Sequence, residues 1–329
     1  MRNRLSIFSS RILGSALIWT VLAIALIEWR AQRALPAGFA NHEVDRMLRD
    51  LDFGRVPAAD TVFLGDSVGR QISRALLSKA PGLFVPLASN GGIETPGQYH
   101  VLLRYLDGHP APKRIVVMMF NPLEGQLEGE YTENYYQRGF SRWREIGGIS
   151  WAKRRLSFSL VIVAYKLSPL FRHRVELQKE IPFLLAPLSS GSGEQAATAP
   201  PRKVSAEHGL LEIIGAWRKQ HRRGPQIAEV YFHRLGRLIE ARNIEWIFLA
   251  PPLPESSVHG EPDGIFGRQL RQMAQWNSRY PSLRIYSQFR KYPDDWFSDG
   301  VHLCEHRLPA VAQDYADMLA SLGLGDLQK

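Results

Sequence analysis

The sequence predicts an α/β protein, an α/β/α sandwich in which helices cover both faces of a parallel sheet. Short apolar runs bounded by turn residues recur along the chain, as expected for buried strands. Helical patterns lie between them, and this alternation is typical of parallel strands joined by crossover helices. The predicted strands are Thr61–Leu64, Phe84–Leu87, Ile115–Phe120, Trp246–Ala250 and Leu283–Tyr286. The predicted helices are Val68–Leu77, Tyr99–Leu106, Val230–Ala241 and Phe266–Trp276, followed by an amphipathic helix from Val311 to Leu322.

The composition of the 329 residues is that of an ordinary globular protein, with 45% hydrophobic and 22% charged residues. It excludes collagen-like, wholly disordered and polytopic membrane classes. A single cysteine excludes an intramolecular disulfide framework and a cysteine-based zinc site, and the histidines show no metal-ligand spacing. We therefore expect no metal and no cofactor. The net charge of +9 falls on small basic groups without a recognisable nucleic-acid-binding module, so we expect no nucleic-acid partner.

Residues Ile12–Ile27 form an uncharged apolar run near the N-terminus. The run is slightly shorter than the roughly 20 residues that cross a bilayer, but flanking residues extend it, and it is apolar on every face. Arg2, Arg4 and Arg11 precede it, so the positive-inside rule places the N-terminus in the cytoplasm. We predict one transmembrane helix in a bacterial inner membrane, with the main domain in the periplasm. A cleaved signal peptide and a buried helix of a soluble protein are the alternatives.

The chain divides into an N-terminal anchor at 1–33 and one α/β domain at 34–329. The alternation of strands and helices is interrupted over about 122–227, which we interpret as a long insertion into that domain. Within the insertion, about 186–206 is rich in serine, glycine, alanine and proline, a composition typical of a flexible segment.

A serine directly follows the first predicted strand. The tripeptide Gly65-Asp66-Ser67 ends that strand and begins the next helix, and Gly69 follows. Open α/β sheets bind ligands at the carboxyl ends of their strands, where a helix N-terminus also favours developing negative charge. Ser67 is therefore a candidate nucleophile, although Asp66 and Ser67 also suit a simple helix cap.

Asp299 and His302 form the second candidate element, just before the last predicted helix. A serine nucleophile needs a base, and the base needs a carboxylate to orient it. Two residues three positions apart on one turn can approach each other, so Asp299 can hold the imidazole of His302 while its other ring nitrogen faces Ser67. A surface turn with an incidental histidine is the alternative.

Two loops offer hydrogen-bond donors for an oxyanion. Gly92 belongs to the Asn90-Gly91-Gly92 segment after the second predicted strand, whose glycines can offer backbone N–H groups. Asn121 follows the third predicted strand. A backbone amide together with an asparagine side chain suits a tetrahedral oxyanion. The alternatives are an ordinary glycine turn and a normal Asn-Pro loop opening.

Taken together, these motifs resemble the sequence blocks of the SGNH hydrolase (GDSL-like) superfamily, from about Thr61 to the C-terminus apart from the insertion. The resemblance implies an SGNH/flavodoxin-like sandwich that performs acyl transfer or ester hydrolysis. It implies Ser67 as the catalytic nucleophile, His302 as the base and Asp299 as the residue that orients the base.

The same resemblance implies that Gly92 and Asn121 complete the oxyanion hole. The third block of this chain departs from the family pattern, because Met119-Phe120-Asn121-Pro122 lacks the glycine and the acidic residue of that block. Asn90 is therefore the alternative donor.

A membrane anchor joined to these blocks resembles the accessory enzymes of envelope acylation, such as those for alginate or cellulose acetylation and teichoic-acid D-alanylation. Such enzymes work beside a multi-spanning membrane O-acyltransferase that delivers the acyl group. The resemblance implies a serine-dependent O-acyltransferase, with acetyl as the expected acyl group, a polysaccharide substrate and this kind of membrane partner. A carbohydrate or lipid esterase and a non-catalytic anchored subunit that binds polymer are the alternatives.

Overall fold

The computed structural model describes most of the α/β domain and a helical stretch near the N-terminus. The described residues are 18–30, 33, 43–79, 82, 84–88, 95–119, 143, 146–148, 156–172, 227–258, 271–286 and 289–324. Within these ranges, none of the helices combines the length and the apolarity needed to cross a membrane. The first part of the predicted anchor, most of the predicted insertion and all of 186–206 lie outside the described residues.

Among the described residues, five parallel strands form the central sheet, as the apolar runs predicted. In chain order the strands are β1 (Thr61–Gly65), β2 (Val85–Pro86), β3 (Arg114–Met118), β4 (Glu245–Leu249), β5 (Leu253–Pro254), β6 (Leu283–Tyr286) and β7 (Lys291–Tyr292). The order across the sheet is β2-β1-β3-β4-β6, while β5 and β7 pair separately. The chain first adds β2 on one side of β1 and then crosses to β3 on the other. This reversal opens a crevice at the carboxyl ends of β1 and β3.

Strands β3 and β4 begin one residue earlier than the hydrophobic pattern indicated, because charged residues occupy their first positions. The Nε of Arg114 on β3 lies 2.9 Å from Oε2 of Glu245 on β4. The other carboxylate oxygen of Glu245, Oε1, lies 3.2 Å from the Nε of Arg284 on β6. Opposite charges paired across strands contribute roughly 0.2–1 kcal/mol each. These pairs favour the observed neighbours at the amino-terminal edge of the sheet.

Helices cover both faces of the sheet. They are α1 (Glu43–Asp52), α2 (Ser67–Lys79), α3 (Thr95–Gly108), α4 (Leu156–Leu167), α5 (Pro169–Arg172), α6 (Ile227–Glu240) and α7 (Leu308–Leu319). Residues 18–30 are also helical, and the predicted helix Phe266–Trp276 is described only from Arg271, with helical residues 271–275.

Alternate residues of each strand enter two separate hydrophobic clusters, one on each face of the sheet. Val62 and Leu64 of β1 join the cluster formed with α1, α3 and α6. Phe63 lies between them in sequence and joins the cluster formed with α2 and α7. All three side chains are fully buried, which is why these strands appear in the sequence as continuous apolar runs. The α/β class and the parallel sheet that the sequence predicted are therefore confirmed.

Helix α6 approaches the segment before β6 at a glycine. A Cβ placed on Gly236 would lie 2.7–2.9 Å from three atoms of the Tyr280 ring. That ring is buried, and its hydroxyl donates a 3.3 Å hydrogen bond to the carbonyl of His233, which would have to lengthen or break if the ring moved. The absence of a side chain at Gly236 thus permits this close packing.

We expect Gly236→Ala to lower the free energy of unfolding by up to about 2 kcal/mol. Overpacking a buried contact costs about 1–3 kcal/mol, while the better helix propensity of alanine returns about 1 kcal/mol. Urea unfolding of the full chain, followed by tryptophan fluorescence, measures the difference. Gly108→Ala is the matched control at the end of α3, because a Cβ there meets nothing within 4 Å and no loss is expected. Equal effects of the two substitutions would contradict the packing argument.

Candidate active site

The turn between β1 and α2 lies against the carboxyl end of β3. Gly65 pairs with Met118 in the parallel register, and a Cβ on Gly65 would collide with the Met118 carbonyl oxygen. A Cβ on Gly69 would lie 2.5 Å from the same oxygen. Both glycines are therefore needed for this close approach. As a result, Ser67 begins α2 at the switch point between β1 and β3.

Asp66 caps the helix that begins with Ser67. Its Oδ1 accepts hydrogen bonds from the amides of Val68, at 2.9 Å, and Gly69, at 3.2 Å. The side chain is buried, so these bonds satisfy a carboxylate that has lost much of its hydration. The capping role that the sequence offered as an alternative thus belongs to Asp66, and Ser67 remains half-buried at the mouth of the crevice.

Asp299 and His302 approach each other as their spacing predicted. Oδ1 of Asp299 accepts hydrogen bonds from the amides of Val301, at 2.8 Å, and His302, at 2.7 Å. Oδ2 accepts a 2.7 Å bond from Nδ1 of His302. The carboxylate can only accept, so Nδ1 carries the proton and Nε2 is left as an acceptor. The amide of Ser298 donates to the carbonyl of His302 at 2.8 Å and closes the loop.

The two candidate elements meet across the carboxyl edge of the sheet. Nε2 of His302 lies 2.8 Å from Oγ of Ser67, although the two residues are 235 positions apart in the chain. Oγ donates and Nε2 accepts, so a continuous chain of hydrogen bonds runs from Asp299 through His302 to Ser67. This is the geometry with which an imidazole removes the proton of a serine hydroxyl during nucleophilic attack.

The Asp299–His302 pair adjusts the pKa of both members. The hydrogen bond to Asp299 raises the pKa of His302 above its ordinary value of 6.5, against the opposing effect of burial, and the charges of Asp299 and Asp66 add to the rise. Burial alone would raise the pKa of Asp299, but hydrogen bonds from His302 and from the Val301 amide lower it to about 2. Asp299 is therefore ionised at neutral pH, where it stabilises the imidazolium formed when His302 takes a proton.

The three predicted oxyanion donors, Gly92, Asn90 and Asn121, lie outside the described residues. Strands β2 and β3 are the two neighbours of β1, and the last described residues after them are Ala88 and Met119. The chain thus leaves the sheet toward each donor segment from a strand adjacent to the one that carries Ser67. The roles of these donors stay predictions.

Two glutamines that the sequence reasoning passed over support the site. Gln98, fully buried in the first turn of α3, donates a 3.0 Å hydrogen bond to the carbonyl of Gly65. Gln71 lies one helical turn after Ser67 and contacts the backbone of Leu303, the residue after His302. The spacing of Gln71 from the nucleophile, four residues along a helix, was the available signal, because such residues share one helix face.

Within the described residues, no group of three or more histidine, cysteine, aspartate or glutamate side chains could hold a metal ion. Cys304 is a free, partly exposed thiol whose Sγ lies 4.0 Å from the carbonyl of Asp295.

No family model matches this chain, and no curated protein is significantly similar to it. The functional assignment therefore depends on the arrangement of Ser67, Asp299 and His302 and on the sequence motifs that contain them.

The raised pKa of His302 predicts how the reactivity of Ser67 depends on pH. Only neutral imidazole accepts the serine proton, so the rate of covalent labelling by a fluorophosphonate should rise with pH, with an inflection above 6.5, and then level off. Asp299→Asn should move the inflection to lower pH and reduce the plateau by about 10⁴-fold. Mass spectrometry of the labelled Ser67 peptide measures both quantities. His306→Gln is the control, because His306 is exposed and lies four residues after His302. It should change neither the inflection nor the plateau.

Proposed function

We propose that the protein is a serine-dependent O-acyltransferase of the SGNH hydrolase type, which transfers an acyl group, expected to be acetyl, to a cell-envelope or secreted polysaccharide. The observation that carries this proposal is the hydrogen-bond chain from Asp299 through His302 to Ser67. A general base and its orienting carboxylate are held within bonding distance of one hydroxyl. That arrangement serves acyl transfer and has no evident use as a purely structural contact.

The reaction proceeds through two acyl transfers. Oγ of Ser67 attacks the carbonyl carbon of the acyl donor while Nε2 of His302 takes the hydroxyl proton, and the ionised Asp299 stabilises the resulting imidazolium. The oxyanion is held by the Ser67 amide with Gly92 and Asn121 or Asn90. When the tetrahedral intermediate collapses, the bond to the leaving group breaks and His302 returns the proton to that group, which leaves acyl-Ser67.

The second transfer reverses the proton movements. A sugar hydroxyl loses its proton to Nε2 of His302 and attacks the acyl carbon, and the bond from that carbon to Oγ of Ser67 then breaks. His302 gives the proton back to Oγ, which regenerates the free enzyme. Water in place of the sugar hydroxyl would make the same site an esterase. Transferase and esterase activity therefore differ only in the molecule that accepts the acyl group.

The finer fold assignment, an SGNH/flavodoxin-like sandwich, is part of this proposal. Three features support it: the strand order β2-β1-β3-β4-β6, a nucleophile directly after β1, and an Asp–x–x–His turn before α7, the last described helix to pack on the sheet. The doubly wound order 2-1-3-4-5 has its ligand crevice at the β1/β3 switch point, where Ser67 lies.

We further propose that 1–33 anchors the protein in a bacterial inner membrane, with the α/β domain in the periplasm beside a multi-spanning O-acyltransferase that supplies the acyl group. The exposed apolar side chains along 18–30 favour a lipid environment for this segment, because contact with water would be unfavourable for them.

The transferase reaction can be tested with the full-length protein, p-nitrophenyl acetate as donor and an oligosaccharide as acceptor. We expect acetylated sugar and a Ser67-bound acetyl group in the wild type. Ser67→Ala should lower product formation by at least about a thousandfold, because no other group takes over as nucleophile. Ser78→Ala is the matched control on the same helix, where the exposed hydroxyl bonds only locally to the carbonyl of Ala75.

The products distinguish the possible activities. Free acetate without acetylated sugar would assign an esterase in place of a transferase. Full function of Ser67→Ala in cells would overturn the catalytic proposal and favour a non-catalytic anchored subunit.

A further inference from the structure

Within the described part of the chain, exposed large hydrophobic side chains are concentrated in two places, on 18–30 and on α4 together with the neighbouring Trp143. Apart from Phe53, they lie on 18–30, at residue 143 or on α4. They are Ile18, Trp19, Val21, Leu22, Ile24, Leu26, Ile27, Trp29, Trp143, Leu160 and Leu167. Single exposed apolar residues are normal on soluble proteins, whereas concentrated ones mark interaction surfaces.

Glu28 joins these two places. Its carboxylate accepts hydrogen bonds from the hydroxyl of Ser168 and, at 3.2 Å, from the amide of Leu170. Ser168 directly follows α4, so the C-terminal ends of 18–30 and of α4 meet at one surface. The opposite face of α4 packs on the α/β domain, where Ile162 is fully buried against Tyr231 of α6.

Two tryptophan–cation pairs lie on this surface. The guanidinium of Arg33 lies 4.0 Å from the ring centroid of Trp29, and the ammonium of Lys166 lies 5.6 Å from that of Trp143. Both indoles are exposed, at 48% and 57%. Trp29 directly follows Glu28, and Lys166 is two residues before Ser168, which bonds to Glu28. Both pairs therefore lie near the contact between Glu28 and Ser168. Tryptophan and basic residues concentrate at the membrane–water boundary.

Charge in the sequence around α4 also suits anionic lipid. Lys153-Arg154-Arg155 precedes the helix, and Arg172-His173-Arg174 follows it within a few residues. Basic residues near the surface of a membrane gain about 1 kcal/mol each from anionic headgroups.

We propose that α4 lies in the headgroup region of an anionic bilayer beside 18–30, with Leu160 and Leu167 facing the acyl chains. The inference rests on the proposed membrane anchor and adds a second contact to it. Since α4 also packs on α6, the α/β domain is held in one orientation on the membrane and does not swing from a single tether. The crevice at Ser67 then keeps a constant position relative to the membrane surface.

The test uses the full-length protein in nanodiscs of phosphatidylcholine and phosphatidylglycerol, with Cys304→Ser to remove the sole cysteine. Bimane is attached at Leu160→Cys, Leu167→Cys or Ile24→Cys, and at the exposed Ser78→Cys on α2 as the control. Brominated phosphatidylcholine should quench the probes at 24, 160 and 167 at least about twofold more than the probe at 78, and aqueous iodide should give the opposite order.

The outcomes separate the inference from the anchor. Quenching by brominated lipid at 24 but not at 160 or 167 overturns the α4 contact and leaves the anchor intact. No quenching at any of the three overturns both. Protection of 160 and 167 from iodide without quenching by lipid assigns the surface to contact with a second copy of this chain and overturns the lipid proposal.

Gln71 on α2 bonds to the backbone of the loop that carries His302. Its Nε2 donates a 3.2 Å hydrogen bond to the carbonyl of Leu303, and its Oε1 accepts a 3.1 Å bond from the amide of the same residue. This side chain therefore satisfies both backbone groups of the residue that follows His302. Gln71 belongs to the helix that begins with Ser67, so one amide group connects the nucleophile's helix to the loop that carries the base.

We propose that Gln71 is a positioning residue, which holds Nε2 of His302 at bonding distance from Oγ of Ser67. This proposal rests on the proposed acyl-transfer function. Because Gln71 touches neither the imidazole nor Asp299 in these contacts, it acts on the placement of His302 and leaves its basicity unchanged. Misplacement of a catalytic group by about 1 Å can reduce a rate by about 10²-fold.

Gln71→Ala should reduce the maximal rate of fluorophosphonate labelling of Ser67 by about 10- to 100-fold, while the pH of the inflection stays unchanged. Gln313→Ala is the matched control: Gln313 on α7 accepts a 2.8 Å hydrogen bond from Lys79 at the end of α2, and its other bond is to Asp317, away from the His302 loop. It should label at the wild-type rate. Thermal unfolding of each variant measures the folded fraction, to which the rates are normalised.

Equal labelling rates of Gln71→Ala and Gln313→Ala after this normalisation would overturn the positioning role. A shifted inflection in Gln71→Ala would overturn it as well, because it would mean that Gln71 acts on the basicity of His302. Absence of labelling in the wild type would count against the proposed function itself, and thus differs from either result.

Discussion

The site depends on how closely the turn after β1 approaches the end of β3. The carbonyl oxygen of Met118 occupies the space that side chains at Gly65 and Gly69 would need. Because these two residues have no side chains, α2 begins directly at the carboxyl end of β1, and Asp66 caps it by accepting hydrogen bonds from the amides of Val68 and Gly69. The close packing of two backbones therefore determines where the hydroxyl of Ser67 is presented.

The second half of the site is held by a different kind of constraint, a network of hydrogen bonds within one short loop. Asp299 uses one carboxylate oxygen for two backbone amides and the other for the imidazole of His302. The carboxylate of Asp299 therefore both holds the conformation of the loop and supplies the negative charge beside His302. An ionised carboxylate in this position favours the protonated imidazole, which is the state of His302 during acyl transfer. Shape and reactivity thus have one origin.

The same physical rules predict where sequence reasoning succeeds. Strand β1 is buried throughout, and β3 and β4 are buried after their first residue, so these strands appear as apolar runs; the sequence located all five strands of the sheet. The ends of the strands were less visible, because Arg114 and Glu245 begin β3 and β4 as a charged pair that a hydrophobic pattern does not include. Gln71 and Gln98 were missed for a related reason: a glutamine on a helix has no distinctive local pattern, and its role depends on a backbone group that another part of the chain supplies.

The sequence by itself determined the alternation of strands and helices, the serine after β1, and the approach of Asp299 to His302, because each depends on residues within a few positions of one another. Only the tertiary structure decided the order of the strands, the 2.8 Å contact between His302 and Ser67, and the bridge from Gln71 to Leu303. These contacts join residues more than two hundred positions apart. Such contacts are set by the packing of the sheet and its helices as a whole, and short-range patterns carry no information about that packing.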